Sequence, residues 1–239
     1  MKIKSVLLLF AVVSFMATSC QNGGLGKKVS LKTDVDSTSY ALGVLIAQQN
    51  KQSLDMVPGG DQINIDLLTA AFRQVLKGDS TQVSPAEANE LVSGFFQKMA
   101  EKLAQENLEK GNEFLEKNKT REGIVVTESG LQYEIIKEGT GPKPTTEDVV
   151  KVHYHGTLID GKVFDSSVDR GEPAEFPVGG VIQGWVEALQ LMPVGSKWKI
   201  YLPASLAYGE RGTGGGIDPN SVLIFEVELL EIVQDKNGE

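Results

Sequence analysis

Cysteine is almost absent from this chain: there is one in 239 residues, Cys20, so no internal disulfide can form. Histidine is nearly as scarce. The two present, His153 and His155, lie on one exposed face of a predicted strand, where they suggest no metal site and read as solvated side chains. The same shortage leaves no plausible nucleophile and base pair, so hydrolysis by a catalytic triad is excluded. Long apolar runs are missing too, since the longest, from Val6 to Met16, falls short of the roughly 20 residues that span a bilayer. Positive charge is in deficit, with 23 Lys and Arg against 32 Asp and Glu and a formal net charge of -9, which argues against nucleic acid as a partner. A length of 239 residues allows one or two domains.

What is present begins with a leader. Lys2 and Lys4 precede the apolar run, and Ala17-Thr18-Ser19 then close on Cys20, the pattern of a short signal peptide over residues 1–19. A lone cysteine at that junction resembles the lipobox of bacterial lipoproteins, which implies Cys20 as the acylated first residue of the mature chain. The plainer alternative is an ordinary signal peptide that leaves a free thiol. Residues 20–36, opening QNGGLGKKVS after the cysteine, read as a lipidated, flexible tether.

Residues 37–119 carry helical patterns. Stretches 37–50 and 64–77 are amphipathic, and Ser84-Pro85-Ala86-Glu87 is a capping box with proline at the first helical position. The helix it opens is expected to run to Lys119, about 54 Å at 1.5 Å per residue, with Gly111 as a weak point. Leu91, Phe95, Met99 and Leu103 recur along it at steps of four. Two short helices and a long one make little core alone, so an apolar stripe of this kind is expected to bury itself in a second copy; the alternative is a hairpin folded back on the rest of a monomer.

From residue 120 the periodicity changes from helical to alternating. In KVHYHGTL, Val152, Tyr154 and Leu158 share one strand face and Lys151, His153 and His155 the other; in LIFEVEL, Leu223, Phe225, Val227 and Leu229 face inward. Between them Trp198, Ile200 and Leu202 oppose Lys197, Lys199 and Tyr201. Three half-buried strands predict an antiparallel sheet with one wet face, and Ile182, Trp185, Val186, Leu189 and Met192 predict a short amphipathic helix covering its dry face. The expected class is α+β.

Three phrases, VHYHGTLIDGKVFDSS (152–167), VIQGWVEALQLMPVGSKWKIYLPASLAYGERG (181–212) and IDPNSVLIFEVELLEI (217–232), closely resemble the FKBP-type peptidyl-prolyl cis-trans isomerase domain. The resemblance implies an antiparallel sheet wrapped on a short helix over residues 120–239, and a cofactor-free rotation of X-Pro bonds in an aromatic pocket. By the same resemblance Tyr154, Phe164, Asp165, Trp185, Tyr208 and Phe225 are the catalytic set, with Trp185 as floor. Val181, Ile182, Arg170, Phe176 and Ile217 are expected to bind the peptide. Asp165 is expected as a buried carboxylate partnered by Tyr154 and Arg170; the plainer reading has it start a turn before Ser166. Two positions depart from the family's inhibitor-binding members, Ala174 and Gly180, and Ala174 is expected to remove one wall of the pocket. Macrolide inhibitors are the small-molecule ligands the resemblance suggests. The glycine-rich GERGTGGGID segment is expected to be mobile.

The helical region resembles the amino-terminal dimerisation domain of the infectivity-potentiator and periplasmic chaperone-isomerase branch of that family. Together these resemblances imply a homodimeric envelope folding catalyst, lipid-anchored in the bacterial outer membrane, acting on unfolded proteins with X-Pro bonds. The alternative is a non-catalytic holdase or adhesin-like module that keeps the fold.

Overall fold

The computed structural model of the protein describes residues 29–233. The expected signal peptide, Cys20 and the first part of the tether lie outside the described residues. The chain divides into two units, Met1–Ile46 and Ala47–Glu239. Helix α1 (Asp34–Asp55) crosses that boundary and is followed by α2 (Ile65–Lys77) and α3 (Pro85–Asn118). No helix among the described residues is long and apolar enough to cross a membrane.

Each of these three helices starts where a side chain can satisfy free amides. Asp36 accepts from the Lys32 and Thr33 amides at the head of α1, so that helix begins before the expected Ser37. The Asn64 side chain accepts from the Leu67 amide, and Gly78 closes α2 in the left-handed region at φ 74°. At α3 the Ser84 hydroxyl accepts from the Glu87 amide while the Glu87 carboxylate accepts from the Ser84 amide, the reciprocal box legible in the sequence. Helix α2 buries none of its residues, and its Leu67 and Leu76 are 70% and 72% exposed.

Gly111 is not the weak point expected of it. The helix passes through unbroken, and the residue is buried because a Cβ there would come within 2.8 Å of Val222 Cγ2. Glycine at this position is a requirement of close approach rather than a flaw in the helix.

Seven antiparallel strands follow: β1 (Ile124–Val126), β2 (Gln132–Lys137), β3 (Val149–Leu158), β4 (Val163–Ser166), β5 (Ala174–Pro177), β6 (Lys197–Leu202) and β7 (Leu223–Val233). Their order is β1-β2-β6-β7-β3-β4, with β5 also paired to β3. Two helices interrupt them, α4 (Ser167–Arg170) and α5 (Gln183–Leu191). Trp185, Ala188 and Leu189 of α5 pack into one core with Val150, Val152, Tyr154, Trp198, Ile200, Leu202, Phe225 and Val227, so the alternation read from the sequence sets the dry face as expected.

The opposite face is not wet throughout. Tyr201 is only 2% exposed and packs with Val222 and Leu115, while its ring lies 6.0 Å from that of Phe114. The end of α3 therefore covers the sheet, and polar groups seal the seam. Arg121 donates to the Tyr201 hydroxyl at 3.0 Å and to Asn118 at 2.8 Å. Asn118 donates to the Gln132 side chain, which in turn donates to the Leu115 carbonyl. Buried polar groups of this kind are tolerated because each has a partner.

Candidate active site

Strand register gathers the aromatic residues. In the β3–β7 pairing Tyr154 lies opposite Val227 and Gly156 opposite Phe225; in the β3–β4 pairing Gly156 lies opposite Asp165. Gly156 has no side chain to fill the space between those neighbours, and a Cβ there would meet Phe164 Cζ at 2.8 Å and Phe225 Cε1 at 2.9 Å. The vacancy lets Phe164 and Phe225 meet edge to face with centroids 5.3 Å apart.

Trp185 comes up from α5 beneath them. Its ring is edge-on to Phe225 at 5.2 Å, to Tyr154 at 5.4 Å and to Phe176 at 5.9 Å. The indole nitrogen is buried without an acceptor among the described residues. These rings line a cleft of about 650 Å³ that is also walled by Val181, Ile182, Tyr208 and Ile217. Every site residue expected from the sequence lines it except Arg170, which stands behind Tyr154 and Asp165. Ile182 caps α5, and its amide donates to no acceptor among the described residues.

Asp165 lines the cleft but is not the buried carboxylate expected, since its side chain is 46% exposed. It needs partners less for tolerance than for orientation, and it has two. The Tyr154 hydroxyl donates to Oδ2 and the Arg170 guanidinium to Oδ1, while the other Arg170 nitrogen donates to the Tyr154 hydroxyl at 2.9 Å. The three groups close a ring of hydrogen bonds, and Arg170 also lies 5.6 Å from the Tyr154 ring centroid. Partial burial pushes the Asp165 carboxyl up, but the Tyr154 hydroxyl and the Arg170 charge together outweigh it and hold the group below its ordinary value. Burial, and then the Asp165 acceptor, raise the Tyr154 hydroxyl, so it stays a donor. The hydrogen bonds that Arg170 donates to Tyr154 and Asp165 keep it charged. Asp165 thus serves the site's geometry as well as preceding the turn at Ser166.

The histidines are not freely solvated. His153 Nδ1 lies 3.2 Å from Ser167 Oγ and His155 Nδ1 3.0 Å from Ser166 Oγ, and both contacts are partly buried. Ser167 also accepts from the Tyr154 amide, so the outer strand face is tied to the segment that carries Arg170. Ala174 is not among the residues lining the cleft; it pairs with Val152 on the β5 ladder, and the lining on that side comes from Phe176 and Gly180. The glycine-rich segment closes on itself, with the Thr213 amide donating to the Ile217 carbonyl and Ile217 only 7% exposed.

Comparison with known proteins matches residues 141–230 to the FKBP-type peptidyl-prolyl cis-trans isomerase family and residues 35–135 to the domain amino terminal to it. A 22 kDa FKBP-type peptidyl-prolyl cis-trans isomerase of Escherichia coli is 46% identical over 82% of this chain and 94% of its own length. The chain belongs to the FKBP-type peptidyl-prolyl cis-trans isomerases. Other members extend the match. The outer membrane protein MIP of Legionella longbeachae is 45% identical over 85% of this chain and 88% of its own. The crystal structure of FkpA from Escherichia coli superposes with a TM-score of 0.66 at 37% identity, covering 85% of this chain and 98% of that one. The helices followed by an antiparallel sheet and its short helix are therefore an FKBP architecture with its amino-terminal domain, and the enzyme class is peptidyl-prolyl cis-trans isomerase.

The site set expected from the sequence leaves out four contributors to the FKBP cleft, Gly156, Gly180, Thr213 and Gly215. Gly156, in the middle of a strand, is the kind of glycine that marks a close approach, and that signal was available. Gly215 lines the cleft with Thr213, and nothing in its local pattern distinguishes it from its glycine neighbours.

Proposed function

We propose that the enzyme accelerates X-Pro isomerisation during the folding of exported proteins by twisting the amide in this cleft, without covalent chemistry. The barrier is about 18–20 kcal/mol and involves rotation alone. Resonance in the planar amide separates charge between oxygen and nitrogen; the twisted amide loses that separation. A dry aromatic cavity therefore disfavours the planar form more than the twisted one. Trp185 would carry the proline ring, while the Tyr208 hydroxyl and the Ile182 amide would hold neighbouring substrate carbonyls. Asp165 and Arg170 would fix Tyr154, and with it one wall.

The observation that carries this reading is the box of five rings closed at one corner by the Asp165, Tyr154 and Arg170 hydrogen bonds. A protease-coupled assay on an X-Pro tetrapeptide tests it. Asp165→Leu and Trp185→Ala should each slow turnover by more than about tenfold, equivalent to about 1.4 kcal/mol of transition-state stabilisation. Unchanged rates in both would sink the assignment. A purely non-catalytic holdase is disfavoured, because a scaffold has no need of the closed polar corner.

The protein is further proposed to work as a homodimer with chaperone activity. Helix α2 is amphipathic yet buries nothing, and Leu91 and Val92 of α3 are likewise exposed, an apolar surface that a second copy would cover. Two clefts in one assembly would raise the apparent affinity for long unfolded clients through effective concentration. The relative named an outer membrane protein supports an envelope location, with Cys20 as the proposed lipid anchor. Macrolide inhibitors are proposed as ligands of the same cleft.

A further inference from the structure

We infer that the second half of α3 belongs to the catalytic unit: through Asn107, Gly111 and the Ala104 carbonyl it holds the 208–217 wall of the cleft in place, with Asn220 as the positioning residue. The inference rests on the cleft being the peptide site.

That wall has little stiffness of its own. Gly209, Gly212, Gly214 and Gly216 all take positive φ, so the segment between β6 and β7 is built from the residue with the greatest backbone freedom. Yet it presents Tyr208, Thr213 and Ile217 to the cleft. Something must fix its ends. One end is the β6 strand. The other is Asn220, the only non-glycine residue with positive φ among the described residues, at 56°. A residue is held there when its surroundings over-determine it.

Those surroundings are specific. The Asn220 amide donates to the Gly209 carbonyl at 2.9 Å, which shuts the base of the segment. Its side chain donates to the Ala104 carbonyl of α3 at 3.1 Å, and the Asn107 side chain donates to the Pro219 carbonyl at 2.9 Å. Two residues later Val222 is 4% exposed and presses on Gly111, where any side chain would collide with it. Ala104, Asn107 and Gly111 follow at helical spacing on one face of α3, and the face continues through Phe114, Leu115 and Asn118 to the covered side of the sheet. The helix thus grips the segment immediately after its cleft-lining residues.

Asn220 is not among the residues lining the cleft, so its loss should not alter the chemistry of a bound peptide. It should instead widen the set of conformations the wall samples, and a peptide must then order that wall on binding. The signature is a rise in KM with little change in kcat. By linkage, a bound peptide should also tighten the grip on α3.

The test uses the full mature chain and an X-Pro tetrapeptide. Asn220→Gly keeps the left-handed backbone and deletes the bond to α3; Asn107→Ala deletes the reciprocal bond. Each should raise KM by about threefold to tenfold, the scale of one neutral hydrogen bond, with kcat within about twofold of the parent. Saturating peptide should slow amide hydrogen exchange over residues 104–111 in the parent and not in Asn220→Gly. Unchanged KM in both variants, or a fall in kcat alone, overturns the inference. Should Asn220→Gly fail to fold, Asn107→Ala decides. Loss of activity in Trp185→Ala beside parental KM in both Asn variants would refute the positioning role while leaving the cleft in place. An inert Trp185→Ala would remove the cleft itself.

Discussion

Gly156→Ala is the smallest change that should damage the cleft. The added methyl would lie 2.8 Å from Phe164 Cζ, 2.9 Å from Phe164 Cε2 and 2.9 Å from Phe225 Cε1. Carbon atoms settle at about 3.5–4.0 Å, so each ring must retreat by about 0.6 Å or more. Neither can do so freely, because Phe225 already abuts Trp185 at 5.2 Å and Phe164 at 5.3 Å between centroids. Overpacking of this kind costs about 1–3 kcal/mol, offset by the roughly 0.5–1 kcal/mol gained when alanine replaces glycine in a strand. The net loss should lower Tm by a few degrees. A shift of this size in two walls should lower kcat/KM by about tenfold, since misplacement by about 1 Å can cost a hundredfold. The control is Gly161→Ala, where φ is 86° and nothing lies within 4 Å of an added Cβ. It should lower Tm through backbone strain and leave kcat/KM alone. If Gly156→Ala lost stability but kept parental kcat/KM, the two phenylalanines would not belong to the site; if it lost neither, the packing argument itself would fail.

Three further outcomes are expected. Cys20→Ser should move the protein from the membrane fraction to the soluble envelope on fractionation, because stable anchoring takes more than one acyl chain; continued membrane retention would place the anchor elsewhere. The parent is expected to sediment as a dimer and the double variant Leu67→Glu with Leu76→Glu as a monomer, and an unchanged sedimentation coefficient would clear α2 of any part in the interface. Asp165 has a folded-state pKa below its ordinary 3.8 and Tyr154 one above its ordinary 10.0, so the stabilisation each gives is lost as pH falls through the first and as pH rises through the second. A profile of kcat/KM should therefore be flat between about pH 5 and pH 9, and an inflection near neutrality would show that another group controls the site.

Local chemistry made much of this molecule readable. The Ser84 box, the alternation around Tyr154 and Phe225, and the helical spacing of Trp185 and Leu189 each depend on neighbours a few positions away, and each appears where expected. The cleft followed because its rings sit in recognisable phrases. What was not readable depends on which surface meets which. The burial of Tyr201 follows from the docking of Phe114 and Leu115, which lie more than eighty residues earlier, and the same docking turned Gly111 from an apparent defect into a fitted contact. Neither Asn107 nor Asn220 carries a local signal, since each acquires its meaning from the other's element. Asp165 was placed correctly beside its partners, but its exposure depends on how far the cleft opens, which no periodicity records.

The closed corner of the cleft also bears on how selective the enzyme can be. Both oxygens of Asp165, both terminal nitrogens of Arg170 and the Tyr154 hydroxyl are committed to one another. Each member therefore already has a partner inside the ring, and a client side chain that bonded to one of them would compete with a bond already made. Discrimination between clients is then expected to fall chiefly to the shape of the aromatic box and to backbone contacts that every peptide offers. On the proposed function, a cleft whose charged groups already hold one another is expected to select clients more by fit than by charge.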